Sequence, residues 1–359
     1  MSKTVSKKQH FLVLGVMSGT SVDGLDLALV AFEKVGDHWQ FSLQAADTVP
    51  YPAAWVQDLK GAISFSDHEL NAFDLEYGMY IGKAVKEFLA DKAQPDFIAS
   101  HGHTVFHQPE KGVTLQVGNG EVISRECGLP MIYDFRTLDV LLGGQGAPLV
   151  PIGDRDLFHA YDLCLNLGGI ANLSFHEGGN RRAFDICPIN MALNPQAQLL
   201  GAEYDQDGQW ARQGKIDESL LRALNDIAFC HQPYPKSLGL EDYLQHWEPI
   251  INASSISAYD KLSTIVEHVA MQIAAVVKAQ NPEGKLLITG GGAFNSYFIE
   301  RLQAHCQAHI TIPDAKIIAF KEAIVFAYLG LLRLHELPNC LASVTGASRD
   351  NSGGKMSGF

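Results

Sequence analysis

No two of the six cysteines form a CxxC pair; Cys127, Cys164, Cys187, Cys230, Cys306 and Cys340 are scattered along the chain. That excludes the common zinc motifs and a disulfide framework, and makes a reduced cytoplasmic protein the expectation. Long apolar runs are also missing. The longest, Ala323 to Leu334, is interrupted by Arg333 and is too short to span a bilayer. The basic start MSKTVSKKQH leads only into the short apolar run Phe11 to Val16, so no signal peptide is expected. Positive charge is scarce: 27 Lys and Arg face 40 Asp and Glu, a net charge of −13. No local basic cluster reverses that balance, so neither nucleic acid nor membrane is an expected partner. The common nucleotide signatures are absent as well. There is no GxxxxGK[ST], which excludes a P-loop, and no GxGxxG after the first strand, which counts against a dinucleotide fold.

What is present is material for two domains or one large one. The chain has 359 residues with 47% hydrophobic content, enough for a sizeable core. Its organising stretch is Phe11 to Phe32, FLVLGVMSGTSVDGLDLALVAF, two apolar strand-like runs around a small polar loop. So short a join predicts a β-hairpin. The tip holds Ser18, Gly19, Thr20, Ser21, Asp23 and Gly24. Small residues let backbone N–H groups approach an anion, and hydroxyls add donors, so the tip can cradle a phosphate. The carboxylates Asp23 and Asp26 make more sense if a cation or a polar substrate accompanies that phosphate. An ordinary tight turn is the alternative.

Further along, Ser66 to Asp91 predicts a helix from apolar residues at helical spacing. Phe97 to Ser100 predicts a short buried strand running into His101, Gly102, His103 and Thr104. Polar residues at the end of such a strand are where α/β proteins place ligands. A metal pair, substrate hydrogen bonding or plain loop structure all fit two histidines at i, i+2. Thr114 to Val117, which includes Gln116, and Pro130 to Tyr133 predict further strands. Asp134 to Pro148 is rich in charge and glycine, the composition of a crossing between lobes or of a substrate loop. Tyr161 to Phe175 repeats the arrangement strand, glycine turn, strand around Gly168 and Gly169, though not the residues of the first hairpin.

Asp185 ends a short strand in Ala183 to Asn190, just before an expected helix; it can be a general base, a magnesium partner or a helix cap. Asp217 to Ala228 and Leu262 to Val277 predict amphipathic helices. Lys285 to Thr289 predicts a buried strand, then Gly290, Gly291 and Gly292 precede a helix starting near Asn295. That order suits a nucleotide packed against backbone at a helix N-terminus, and a close helix–sheet contact explains it nearly as well. Lys321 to Leu334 predicts the last helix, with Glu322 in its first turn, and Ser343 to Phe359 reads as a poorly ordered tail.

Nine segments carry a resemblance: GVMSGTSVDGLDLALV, SHGHTVFHQP, TLQVGNG, GGQGAPLVPIGD, LNLGGIANLS, YDQDGQWARQGKID, ITGGGAFN, FKEAIVFAYLGLLR and SVTGAS. With them the chain resembles, over nearly its whole length, the anhydro-N-acetylmuramic acid kinases of the actin, sugar kinase and heat-shock ATPase superfamily. The resemblance implies an α/β protein of two ribonuclease-H-like (actin-like ATPase) lobes around a central nucleotide and sugar cleft. It places residues 1–136 in the first lobe and 137–359 in the second, which carries the adenosine site, with the tail free to pack back on the first. It implies ATP and Mg2+ as cofactors, a small sugar as substrate, and a possible homodimer. It also implies a coupled reaction, in which water opens the 1,6-anhydro bridge while the freed O6 takes the γ-phosphate.

Carried over residue by residue, Asp185 matches the base and Glu322 a cleft glutamate. Ser18 to Asp26, including Gly24, match the phosphate loop, with Asp23 at the metal. Gly168 and Gly169 match a second phosphate turn, and Gly290, Gly291 and Gly292 the adenosine contact. His101, His103, Thr104, Gln116 and Asn190 fall to the substrate side. Many members read FDTGPGN where this chain reads FDICPIN, so Cys187 and Ile189 replace two glycines and are expected to reshape the sugar pocket. Two rival readings stand beside the kinase: a non-catalytic or altered-specificity sugar- or nucleotide-binding relative, and an ATP-driven interaction protein. The absence of a long extra peptide-binding domain counts against the latter.

Overall fold

The computed structural model describes residues 8–359. The chain forms two compact units, one running to Leu157 and resuming over Phe320–Phe359, the other Phe158–Ala319. The chain therefore leaves the first unit after Leu157, further on than the division at 136/137 that the resemblance implied, and returns to it at Phe320.

In the first unit β1 (His10–Ser18), β2 (Gly24–Val35) and β3 (His38–Pro50) form an antiparallel meander. The expected hairpin is the β1–β2 pair, with Met17 opposite Asp26 and Gly15 opposite Ala28. On the other side of β1 lies β4 (Phe97–Gln108), parallel to it, followed by the parallel β6 (Met131–Tyr133); β5 (Val113–Val117) folds back antiparallel on β4. The helix Asp67–Leu89 starts where its sequence says it should: Ser66 and Glu69 form a reciprocal capping box. It buries Leu70, Phe73, Tyr77, Ile81, Val85 and Phe88, one apolar stripe at spacings of three and four.

The second unit repeats the plan. Here β7 (Leu163–Leu167), β8 (Ile170–Glu177) and β9 (Asn180–Pro188) form the antiparallel meander. The strands β10 (Lys285–Thr289) and β11 (His309–Thr311) add in parallel beyond β7. Five core strands of each sheet share one order, β3-β2-β1-β4-β6 in the first unit and β9-β8-β7-β10-β11 in the second, with only β2 and β8 reversed among them, the ribonuclease-H-like arrangement; the first sheet adds β5 on β4 and a further edge strand beyond β6. The repetition that the residues of the two hairpins barely hint at is therefore plain in the topology of the five core strands. The core of this unit wraps the helix Ala258–Gln280. That helix is long and apolar enough to cross a membrane by length and composition, yet 67% of its apolar window is buried inside the protein.

Three expectations need correction. The tail is ordered: β12 (Lys355–Ser357) pairs with β6 and completes a seven-stranded sheet. The buried Asn339 side chain bonds Leu329 O, Gly353 O and Gly353 N, so the Ser- and Gly-rich composition serves tight turns. The strand after Phe97 does not end at Ser100 but continues through the histidines to Gln108. Asp134 to Pro148 lies wholly within the first unit; the short helix Thr137–Leu141 and its glycine turn are held by buried Asp139, which accepts from Gly146 N, Thr345 Oγ1 and Asn351 Nδ2.

Candidate active site

At the tip of the first hairpin the side chains divide into an inward and an outward set. Ser18 is buried; its Oγ accepts from the Tyr51 hydroxyl at 2.8 Å and meets His103 Nδ1 at 3.0 Å, and Tyr51 in turn pairs with Tyr77 at 2.6 Å. Ser18 is thus a strut beneath the loop. Thr20, Ser21 and Asp23 are exposed, with Gly19 half-buried. The loop closes through Val22 N to Gly19 O, and Val22 buries its side chain while holding a φ of +57°. A β-branched residue in that region is strained, and strain of this kind gathers at ligand-holding turns.

Three carboxylates share this neighbourhood. Asp23 accepts from Ser21 Oγ at 2.9 Å. Asp26, half-buried on β2, accepts from Thr48 Oγ1 at 2.6 Å. Burial pushes Asp26 up to about 6 despite that bond, and the charges of Asp23 and Glu322 push in the same direction. Glu322 comes close because helix Ala315–Leu334 lies against β1 at Gly15, where any side chain would collide with the Ala323 carbonyl. Glu322 keeps solvent-accessible surface, yet desolvation raises its carboxyl, with Arg136 and Lys321 opposing the rise.

Among the described residues no three His, Cys, Asp or Glu side chains are arranged to hold an ion on their own. Mg2+ commonly takes one or two protein carboxylates and fills its shell with water and phosphate oxygens. The exposed Asp23 fits such a position, and the crowding of negative charge at Asp26 is what a cation would relieve.

The two histidines of β4 turn inward, because the β1–β4 register slips between Ser100 and His103. His101 is fully enclosed: Nδ1 donates to Gly102 O at 2.9 Å, and Nε2 accepts from Arg136 Nε at 2.9 Å. Desolvation, then the Arg136 charge, hold its pKa well below the ordinary value, so the ring is neutral. No ring nitrogen of His101 remains for a substrate. His103 is likewise depressed by burial and faces Ser18. Thr104 and Gln116 sit opposite each other on β4 and β5, the Gln116 amide donating to Thr114 Oγ1 at 2.9 Å and, at 3.4 Å, to Thr104 Oγ1.

In the second unit two glycine turns pack backbone against backbone. Gly290 has a φ of +83°, and a Cβ there would lie 2.7 Å from the Leu167 carbonyl carbon and from Asn166 Oδ1; one on Gly292 would lie 2.7 Å from Leu167 Cβ. Close contact therefore explains Gly290 and Gly292. Gly291 is exposed with open space beside it, and Gly168 and Gly169 are nearly as open. Asn190 braces the first turn, its Nδ2 donating to Gly168 O at 2.7 Å and Leu167 O at 3.3 Å. The expected helix follows, Ser296–His305, capped by Asn295.

Asp185 lies within β9 opposite Asn172, where the β8–β9 register slips around Ile186. It is not a helix cap: the next helix begins at Asn190 with Ile189 in the cap position. Its Oδ2 accepts from Leu238 N at 2.9 Å and Ser237 Oγ at 3.2 Å, while Oδ1 has no hydrogen-bond partner among the described residues. Burial raises its pKa, with the Leu238 N–H, Ser237 and the Lys236 charge partly offsetting that. One oxygen fixed, one open and a raised affinity for protons is the condition of a general base. The two side chains that replace family glycines point away from solvent: Cys187 and Ile189 are 0% and 1% exposed and belong to the apolar core. Ile189 has a φ of −121°, which needs no glycine, and burial pushes the Cys187 thiol far up, so it is inert.

Sequence reading gave no site role to Arg136, Tyr51 or the 237–238 segment. Arg136 follows Asp134-Phe135 just after β6, a position with a signal only once charged residues at strand ends are weighed. The Leu238 contact uses backbone and leaves no mark in the sequence.

The family model for anhydro-N-acetylmuramic acid kinase matches residues 11–357. A protein of that name from Shewanella pealeana is 36% identical over 363 residues, covering 94% of this chain and 96% of its own length. Another from Vibrio cholerae is 38% identical over 358 residues, with the same coverages. Among solved structures, the (R)-2-hydroxyglutaryl-CoA dehydratase component A of Acidaminococcus fermentans is 12% identical, covering 90% of this chain and 99% of its own, with a TM-score of 0.45.

Proposed function

The chain belongs to the anhydro-N-acetylmuramic acid kinase family, and from that premise we propose that it performs the reaction for which the family is named, in murein recycling. Asp185 takes a proton from water through its open Oδ1. The water oxygen bonds to the anomeric carbon of 1,6-anhydro-N-acetylmuramic acid, and the bond from that carbon to O6 breaks. O6 bonds to the γ-phosphorus of ATP, and the bond to the bridging oxygen breaks, releasing ADP and N-acetylmuramic acid 6-phosphate.

The reading is carried by the Asp185 carboxylate, held on one oxygen by Leu238 N and Ser237 and raised by desolvation. A raised affinity for protons suits a group that accepts one as the carbon–oxygen bond forms. In the first unit the exposed hydroxyls of Thr20 and Ser21 and the backbone of Gly19 are assigned to phosphate oxygens. Asp23 is the residue that would hold Mg2+, which when bound offsets charge on the transferred phosphoryl group. Gly168, Gly169 and Gly291 have room for a nucleotide to approach their backbone.

The alternative of a non-catalytic relative drew its support from the altered FDICPIN segment. That support weakens, because Cys187 and Ile189 fill the core and leave the Asp185 carboxylate in place. The deciding experiment is ADP release with and without 1,6-anhydro-N-acetylmuramic acid. Sugar-dependent release with one phosphorylated sugar per ADP is expected; ATP turnover indifferent to the sugar overturns the proposal.

A further inference from the structure

Among the described residues β9, the strand that carries Asp185, is the outer edge of its sheet, with no strand beyond it. A segment from outside the sheet closes that edge at one point. Asp185 N donates to Lys236 O at 3.2 Å, while Leu238 N and Ser237 Oγ reach Asp185 Oδ2 at 2.9 and 3.2 Å. Three successive residues thus grip one aspartate through its backbone and one carboxylate oxygen. The grip is anchored on both sides of Ser237. Lys236 Nζ donates to Phe229 O at 2.9 Å. It lies 4.6 Å from the centre of the Phe229 ring and 6.0 Å from that of Phe184, the residue before Asp185. Phe229 packs edge-on against the buried Trp247 at 5.8 Å, and Leu238 is itself buried in the apolar core. Tyr234 stacks on the same Phe184 at 5.2 Å with 13° between the planes, meets Phe175 edge-on at 5.5 Å and donates its hydroxyl to Glu177. Pro233 and Pro235 fix φ on either side of Tyr234, which lowers the entropy lost on ordering the segment.

We propose that Lys236 is a positioning residue for Asp185: tethered to the Phe229 carbonyl, it holds the 236–238 segment on β9 so that Oδ2 is occupied and Oδ1 is the oxygen left to take the proton. The inference rests on the reading of Asp185 as the general base. An unrestrained carboxylate turns about its last side-chain bond, a broad torsion, and presents either oxygen. Two donors on one oxygen, from a segment fixed at both ends, stop that turning. Proton transfer needs it stopped, because the base must stand about 2.6–3.2 Å from the atom whose proton it takes. A lysine suits the tether, since its apolar stem covers ring surface while the ammonium reaches a carbonyl. Lys236 bears on Asp185, and Cys187 and Cys230 bear on Lys236. Glu177, which takes the Tyr234 hydroxyl, is also paired with Arg182 at 3.6 Å. Leu238 N and Ser237 favour the ionised carboxylate and offset part of the rise that burial causes.

The test is the pH profile of sugar-dependent ADP release for the full chain and for Lys236→Met, Lys236→Arg, Ser237→Ala and Asp185→Asn, with melting temperatures measured alongside. Lys236→Met keeps a stem over the two rings and loses the tether. Its kcat should fall by about ten- to a hundredfold at unchanged KM for ATP, the scale set by a misplaced reacting group. Lys236→Arg keeps a cationic donor that also stacks on aromatic rings, and should recover most of that loss. Ser237 is exposed, so Ser237→Ala should melt like the wild type. Loss of a donor to the ionised carboxylate should move its acidic limb of kcat upward by about half to one pH unit. A role in folding alone predicts a lower melting temperature for Lys236→Met with wild-type kcat, and that result overturns the proposal. An unmoved acidic limb in Ser237→Ala overturns it too, whether or not Lys236→Met folds. Should Asp185→Asn turn over like the wild type, the base reading falls and takes the Lys236 role with it. An inactive Asp185→Asn beside a fully active Lys236→Met removes the Lys236 role alone. A wild-type chain without sugar-dependent turnover would remove the family reaction first.

Discussion

The two units share the order of their five core strands and differ in what their first hairpins carry. In the first unit the β1–β2 tip holds hydroxyls and Asp23, with Asp26 and Glu322 near it, so negative charge is concentrated there. In the second the β7–β8 tip is Gly168-Gly169, bare backbone braced by Asn190. The useful carboxylate of that unit, Asp185, lies instead on the third strand and is held by backbone. A repeated scaffold thus presents a charged loop in one copy and an open backbone turn in the other. Topology fixes where loops emerge, and side chains at those few positions decide the chemistry.

The comparison breaks most severely at Asp185. Asp185→Asn keeps shape and hydrogen-bonding capacity but loses the basic lone pair, so kcat should fall by about 10²–10⁴-fold with ATP binding and melting temperature unchanged. Near-wild-type turnover would end the base assignment and send the search to Glu322. Next in size, Asp23→Ala should lower turnover at least about tenfold by removing an ion ligand, with little change in melting temperature because the side chain is exposed. A rate that does not respond would take the first hairpin out of the reaction.

The glycine pair of the second unit offers a smaller, purely structural contrast. Gly290→Ala should destabilise by about 1–3 kcal/mol from its positive φ and its contact with Leu167, while Gly291→Ala should leave the melting temperature unchanged. Equal effects at the two positions would mean that the turns do not pack as described.

The smallest effect concerns Asp26. Its folded pKa of about 6 lies above the ordinary aspartate value of 3.8, so folding favours the protonated form. Stability from this group is full below the unfolded pKa and is lost as pH rises towards about 6 and beyond. Asp26→Asn should therefore gain stability relative to wild type between pH 4 and 7, levelling off above that, by on the order of 1 kcal/mol after solvent screening of this half-buried group. A difference that shrinks as pH rises would contradict the crowding of charge at the first hairpin.

Much of this was legible in the residues. The first hairpin, the capped helix from Ser66, the long helix around Leu262 to Val277 and the glycine turn before Asn295 all follow from local pattern, because period and capping act within a few residues. The tail was misread for a physical reason: Ser- and Gly-rich composition is shared by disordered segments and by tight turns, and only the buried Asn339 and Asn351 distinguish them. The glycines after β10 could not be sorted by pattern either, since close packing and ligand approach make the same demand on Cβ.

By itself the sequence determined the element types, the acidic and glycine-rich loops and, through its motifs, the family. Tertiary structure alone decided which polar groups face outward. It buried Ser18, His101 and His103 inside a hydrogen-bonded layer, put Cys187 and Ile189 in the core, and tied Arg136 to a His101 ring that packs on Phe326. Those outcomes depend on register slips at Ser100–His103 and at Ile186, and on a helix brought back to β1 from far along the chain. A slip in register moves side chains from one face of a sheet to the other, and strand pairing between distant segments is what sets it.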